Sequence, residues 1–246
     1  MQLRKLASAA ALLCVTSFAA AQPPEQVYSG LNTFSAFAEY SNDSSHIILG
    51  TTPNRKIGAL GFQYQRRLMY RRPLDLYFEA EIRPAMLESD PVQIGTQIDL
   101  APTAGTFSVR QEAVGICHPF NGPLNTITIG PTTYEFYQQE TCGRRTVVEQ
   151  GFAPGGIRIN LAPRHRLQSP FSSNAGYMFS TQEVPIPGAG SFNYTFDFGG
   201  GLEYYLSHTR SVRLEYQVQH YSNKQTADFN PGVDSGFIML TFGFGR

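Results

Sequence analysis

The sequence predicts an all-β protein, an eight-stranded antiparallel transmembrane up-and-down β-barrel with one long external loop stapled by a disulfide. Three observations lead to this fold class. The chain begins with an export signal, and it contains 18 Phe and 13 Tyr but only 15% charged residues. Apolar and polar residues alternate along segments of about ten residues, the length that a tilted transmembrane strand requires.

The first 21 residues have the pattern of a secretory signal peptide. Two basic residues precede an apolar run from Leu6 to Phe18, and three alanines follow at positions 19–21. This order of a charged region, an apolar region and a small-residue cleavage site is typical of exported proteins. We therefore expect residues 1–21 to be removed and residues 22–246 to form the barrel.

Three segments show the alternation clearly. In the segment SVRLEYQVQHYSN, the even positions from Val212 to Val218 are apolar and the odd positions from Arg213 to Gln219 are polar. The pattern recurs in SFNYTFDFGGGLEYYL and in LDLYFEAEIR. Because successive side chains of a strand point to opposite faces, each strand has one apolar and one polar face.

The polar faces indicate a polar barrel interior. A barrel of eight strands is filled by its own side chains, so we expect the charged residues of these faces to pair internally rather than to line a pore. They are Asp75, Glu79, Glu81, Arg83, Asp197, Glu203, Arg213 and Glu215.

Five further segments show the alternation more weakly, near residues 33–40, 57–66, 156–161, 171–179 and 235–244. Together with the three clear segments they make about eight strands, an even number that can close without an exposed edge. A soluble β-sandwich would also alternate, but it would have to pack these many aromatic side chains away from water. The transmembrane barrel is therefore the favoured architecture.

Loop lengths predict the orientation of the barrel. The connections RLMYRRP, APRHRLQ and SHTRS are short and basic, whereas those at 41–56, 85–150, 182–190 and 223–232 are longer. Short periplasmic turns and longer external loops are typical of outer-membrane barrels. Both termini should then face the periplasm, and we expect the basic residues to be mostly solvated turn residues rather than a binding patch.

The segment 85–150 is too long for an ordinary connection. It contains Cys117 and Cys142, and an isolated pair of cysteines in an exported protein most simply forms a disulfide. The alternative is two buried free thiols. We expect a disulfide-stapled external lid or cap with some β-character, and a small independent binding module is the second interpretation.

Composition excludes several classes of function. The 19 basic residues balance the 19 acidic ones without a long run of either sign, so nothing indicates a nucleic-acid partner. After the signal, no apolar stretch reaches the roughly 20 residues that a membrane-spanning helix needs. The sequence also contains no zinc-ligand cluster, phosphate-binding glycine loop or internal repeat.

One stretch near the C-terminus, QHYSNKQTADFNPGVDSG, carries a candidate catalytic site. His220 and Ser222 continue the apolar face of their strand, and Asp234 shares the outward parity of the last strand. Ser222 is a candidate nucleophile, His220 its base, and Asp234 the acid that orients the imidazole. Asn223, Asn230 or a loop N–H group are candidate donors to the oxyanion. The alternative is that these polar residues belong to the interfacial belt and to turn chemistry.

The motifs HYSN and NPGVDS, followed by a final apolar strand, resemble the lipid A 3-O-deacylases of the PagL type. The resemblance is specific over about the last 30 residues. It implies an eight-stranded outer-membrane enzyme that removes an ester-linked acyl chain from lipopolysaccharide in the outer leaflet, without a metal or cofactor. His220 and Ser222 match the catalytic histidine and serine of that family, and Asn230 matches its oxyanion asparagine. Asp234 falls at the third position, where the family usually has glutamate.

A non-enzymatic barrel is the alternative function. The long disulfide-bonded loop and the shortened acid favour a structural or adhesive outer-membrane protein whose loop binds an external partner. That hypothesis predicts that His220, Ser222 and Asp234 do not converge.

Overall fold

The structure is a computed structural model that describes residues 28, 30–41, 48–50, 54–71, 73–101, 106–114 and 117–245. The predicted signal peptide lies outside these residues. Among them, no helix is long and apolar enough to cross a membrane.

Ten β-strands make up the regular structure of the described residues. They are β1 (Asn32–Ser41), β2 (Lys56–Tyr70), β3 (Leu74–Ala101), β4 (Thr106–Val114), β5 (Phe120–Ile129), β6 (Thr132–Leu161), β7 (Leu167–Ser180), β8 (Phe192–Ser207), β9 (Arg210–Ser222) and β10 (Val233–Gly245). Eight of them close a ring in the order β3-β2-β1-β10-β9-β8-β7-β6, which a β3–β6 pairing completes. Every pairing in the ring is antiparallel, so the predicted eight-stranded barrel is confirmed.

The alternation in the sequence places apolar side chains outside the barrel and polar ones inside. In β9, Arg213 and Glu215 are buried while Leu214 and Tyr216 are exposed. The other barrel strands repeat this pattern, and their outward faces carry exposed Phe, Leu, Ile and Tyr side chains. An apolar exterior over a polar interior is the arrangement that suits a lipid surrounding.

Charged residues fill the interior by pairing with one another. Arg83 forms ion pairs with Glu39 at 2.7 Å, Glu81 at 2.5 Å and Asp197 at 3.4 Å. Arg213 pairs with Glu215 at 2.6 Å. A third arginine, Arg158, pairs with Glu203 at 2.7 Å. Buried charges require such partners, and the prediction of internal pairing is confirmed.

One connection adds to the core at the end of the barrel where β9 ends. The connection between β7 and β8 folds inward, and its Val184 and Ala189 are fully buried. Below them lies an apolar layer that includes Met86, Met178 and Phe237. The strand segment that carries the candidate site contributes to this region through Tyr221.

The β-character predicted for the segment 85–150 extends further than expected, because most of the segment is strand. The barrel strands β3 and β6 remain paired as far as Ala101 and Glu135. This is well beyond Ser89, where the pairing of β3 with β2 ends. The shorter strands β4 and β5 add to their outer edges, which makes a four-stranded arm. The Cys117–Cys142 disulfide is present, as predicted.

The arm is on the opposite side of the barrel from the candidate site. It extends from the β3–β6 seam, and two strands on either side separate that seam from the β9–β10 seam. The arm and the candidate site are at the same end of the barrel, since β3 leaves the barrel where β9 ends.

Candidate active site

The candidate residues lie at the external end of two neighbouring strands. His220 and Ser222 end β9, and Asp234 is the second residue of β10. His220 and Asp234 are direct partners across the two strands. They share the parity of Tyr216 and Ile238, whose side chains are exposed on the outer face.

His220 and Asp234 are joined by a short hydrogen bond. The imidazole Nδ1 lies 2.6 Å from the Asp234 Oδ1. Residues directly opposite in an antiparallel pair have Cβ atoms about 4.5–5.5 Å apart. At that separation the short aspartate side chain reaches the ring without the additional methylene of glutamate.

The second carboxylate oxygen of Asp234 is held by the backbone of the β1–β2 connection. Oδ2 accepts hydrogen bonds from the N–H groups of Leu49 and Gly50, each at 2.8 Å, and from the N–H of Ile48. These donors fix the carboxylate with its other oxygen towards His220. Sequence patterns do not reveal them, because a backbone N–H is present whatever the side chain.

The loop that follows β9 packs against the imidazole through a glycine. A Cβ atom added to Gly232 would lie 2.7 Å from Cε1 and 3.3 Å from Nε2 of His220. The 2.7 Å distance to Cε1 is much shorter than the normal van der Waals separation of two carbon atoms. The glycine of the NPG motif therefore lets the backbone approach the ring from one side.

Ser222 lies on the same face, two residues beyond His220. Residues i and i+2 of a strand are about 6.6 Å apart, so the two side chains are neighbours. Among the described residues, Ser222 makes no hydrogen bond to His220. Catalytic hydrogen bonds are often open without substrate and tighten in the complex. With Nδ1 on Asp234, Nε2 is the ring nitrogen left for the serine.

The two asparagines of the connection between β9 and β10 differ in their contacts. Asn223 is buried, and its Nδ2 donates to the carbonyl oxygens of Ala189 at 2.6 Å and Phe229 at 2.5 Å. It therefore fixes the loop. Asn230 is exposed, and its Oδ1 accepts a hydrogen bond from the Asn223 N–H at 3.0 Å. That bond engages the oxygen of the Asn230 amide and not its nitrogen.

In the part of the chain that the structure describes, no cluster of His, Cys, Asp and Glu has the arrangement of a metal site. What the site contains is a serine beside a histidine that is oriented by a carboxylate. These are the groups that acyl transfer through a serine nucleophile needs.

Two solved structures illustrate the likeness to known barrels. The outer membrane enzyme PagL is 12% identical, with a TM-score of 0.45 over 87% of this chain and 99% of that chain. Neisserial surface protein A is 8% identical, with a TM-score of 0.43 over 89% of this chain and 99% of that chain. No curated protein matches the sequence.

The family comparison identifies the chain. Residues 120–244, just over half of the sequence, match the family described as lipid A 3-O-deacylase (PagL). The matched region contains His220, Ser222 and Asp234, together with the strands that carry them. The chain belongs to the lipid A 3-O-deacylase (PagL) family.

Proposed function

We propose that the protein is an outer-membrane esterase that removes an ester-linked acyl chain from lipid A. Ser222 is the nucleophile, His220 the general base and Asp234 the residue that orients the imidazole. The observation that carries the proposal is the 2.6 Å contact between His220 and Asp234 on the outer face of the barrel. Family membership supports lipid A as the substrate.

In the first half of the reaction the serine is acylated. Asp234 accepts a hydrogen bond from the Nδ1–H group of His220, which leaves Nε2 unprotonated and able to take the proton from the Ser222 Oγ. The Oγ attacks the ester carbonyl carbon and forms a tetrahedral intermediate. The bond between this carbon and the sugar oxygen then breaks, and the sugar oxygen receives the proton from Nε2.

In the second half, water releases the acyl group. Nε2 of His220 accepts a proton from the water as its oxygen attacks the acyl carbon. The bond to the Ser222 Oγ breaks, and Oγ recovers that proton. The products are a fatty acid and a lipid A with one free hydroxyl group. Asn230 is the candidate side-chain donor to the negatively charged oxygen of both intermediates.

The outward direction of the site gives a membrane substrate lateral access. Ser222 is opposite Tyr194 on β8, and His220 is opposite Phe196. These aromatic side chains are 41% and 46% exposed on the outer face. Acyl chains in the outer leaflet would lie along this apolar surface, with the ester at the level of Ser222.

A covalent probe tests the assignment of the nucleophile. Purified wild-type protein is treated with a long-chain alkyl fluorophosphonate, which reacts with activated serines, and the digested protein is analysed by mass spectrometry. We expect the adduct on the peptide that contains Ser222. Ser222→Ala should lose both the adduct and fatty-acid release from lipopolysaccharide, because no nucleophile remains.

Ser207→Ala is the matched control, because this exposed serine ends β8 at the other end of the barrel. It should keep full labelling and full activity. Fatty-acid release that persists in Ser222→Ala, or an adduct on another serine, would contradict the proposal.

A further inference from the structure

The end of the barrel opposite the candidate site carries arginines in or directly beside each of its described turns. The turns join β2 to β3, β6 to β7 and β8 to β9, and the strand ends beside them are also basic. We call this set the cationic rim. Its members are Arg66, Arg67, Arg71, Arg164, Arg166 and Arg210.

Within the described part of this end, one member of the cationic rim has an acidic partner, since the Arg67 Nη1 lies 3.9 Å from the Asp75 Oδ2, and no acidic side chain is exposed. The acidic residues closest to the turns, Asp75 and Glu203, are only 0% and 3% exposed. Both point into the barrel, where Glu203 pairs with Arg158 at 2.7 Å and Asp75 accepts a hydrogen bond from Tyr77. The surface charge here is therefore positive.

Apolar side chains border the cationic rim. Leu68 and Leu206 are 60% and 52% exposed on the outer face, close in sequence to Arg66 and Arg210. Both of these arginines are themselves exposed and share the outward parity of their strands. The charges thus lie at the edge of the apolar belt, where lipid headgroups meet water.

Tyrosine rings orient two of the turn arginines. The Nε of Arg164 donates to the Tyr70 hydroxyl at 2.8 Å, and Arg166 lies over the Tyr28 ring at 5.9 Å. Tyr28 also stacks on His208, with 4.8 Å between the ring centroids. Tyrosine is enriched at membrane interfaces, where its ring lies at the level of the lipid headgroups.

We propose that the cationic rim binds the phosphate groups of anionic phospholipids in the inner leaflet of the outer membrane. Guanidinium groups bind phosphate in a bidentate manner. Continuity with the apolar belt favours a lipid over a soluble polyanion, because the acyl chains of the same molecule would cover Leu68 and Leu206. Phosphatidylglycerol is such a lipid, because its headgroup phosphate carries a negative charge at the edge of the apolar belt.

Native mass spectrometry tests the proposal. The wild-type protein in detergent is given equal amounts of phosphatidylglycerol and phosphatidylcholine with the same acyl chains, and the bound lipids are counted. We expect phosphatidylglycerol to be preferred. The attraction of one cation to an anionic lipid surface corresponds to about a fivefold change in binding. Each arginine removed should therefore weaken the preference for phosphatidylglycerol over phosphatidylcholine by about that factor.

Two double variants carry the test, one on the strands (Arg66→Gln with Arg210→Gln) and one in the turns (Arg71→Gln with Arg166→Gln). The control, Lys56→Gln with Arg144→Gln, removes two exposed charges at the external end and should leave the preference unchanged. The proposal is overturned if wild-type protein binds both lipids equally, if the control loses as much as the rim variants, or if millimolar inorganic phosphate displaces phosphatidylglycerol.

Discussion

At the scale of single residues, strand register decides whether an aspartate can replace the usual glutamate of the family. Asp234 is directly opposite His220, so its short side chain reaches Nδ1 at 2.6 Å. Its other oxygen accepts three backbone hydrogen bonds. The carboxylate is therefore fixed at both oxygens, and its geometry resembles that of the orienting acid in a hydrolase triad.

Asp234→Asn tests this orienting role. The asparagine carbonyl would keep the backbone donors, while its Nδ2 would face His220 and favour the tautomer with a proton on Nε2. That proton blocks the base, and the comparable change in other triads lowers kcat by about 10⁴-fold. Fatty-acid release from lipopolysaccharide gives kcat, and the heat-dependent shift of the barrel in gel electrophoresis reports folding.

Asp234→Glu is the conservative counterpart, since it restores an acceptor for Nδ1. It should keep most of the activity that Asp234→Asn loses. Equal activity in Asp234→Asn and the wild type would show that the acid has no part in orienting the imidazole.

At the scale of secondary-structure elements, the ends of β9 and β10 are positioned by the connections around them. Gly50 of the β1–β2 connection packs against Asp234, and Gly232 of the β9–β10 connection packs against His220. On the inner side, the Tyr221 hydroxyl contacts both oxygens of Glu88 at 2.8 and 2.7 Å. The strand segment with the candidate nucleophile and base is thus held from both faces.

Gly50→Ala tests the role of the β1–β2 connection. The new Cβ would lie 2.4 Å from the Asp234 backbone nitrogen and 2.9 Å from its Cγ. The carboxylate or the connection must move, and a displacement of about 1 Å in a catalytic group typically costs about 10²-fold in rate. Steady-state kinetics of fatty-acid release measure the effect.

The matched control is Gly58→Ala, a glycine of the adjoining strand. Its new Cβ would have no atom closer than 3.9 Å, so activity should stay within about twofold of the wild type, as is usual for surface changes. A Gly50→Ala protein as active as Gly58→Ala would mean that the connection does not position Asp234.

At the scale of the whole molecule, the protein is an outer-membrane barrel with an apolar exterior and an interior of paired charges. The ion pairs of Arg83, Arg158 and Arg213 connect several strands across the interior. Above them, the apolar layer and the inward connection between β7 and β8 add to the core at the external end. His220, Ser222 and Asp234, the candidate site residues, therefore lie outside this filled interior.

The alternation of residues was sufficient to predict the barrel, its strands and its polar interior. Strand parity alone also placed His220, Ser222 and Asp234 on one face, because parity depends only on position along a strand. The contact of Asp234 with residues 48–50 could not be predicted, since it depends on the path of a connection remote in sequence. The extent of β-structure in the segment 85–150 was underestimated, because the pairing of β3 with β6 beyond the end of the ring joins residues far apart in sequence.

The central claim is that the folded barrel removes an acyl chain from lipid A in the membrane, and the lipid A mass spectrum tests it most directly. Three outer-membrane samples from one lipopolysaccharide-producing host are compared. The first contains the wild-type protein, the second contains His220→Gln and the third contains neither, and each is analysed before and after detergent extraction. We expect a lipid A species lighter by one acyl chain only in the membranes that contain the wild-type protein. Identical spectra in all three, with the wild-type barrel folded in the membrane, would contradict it.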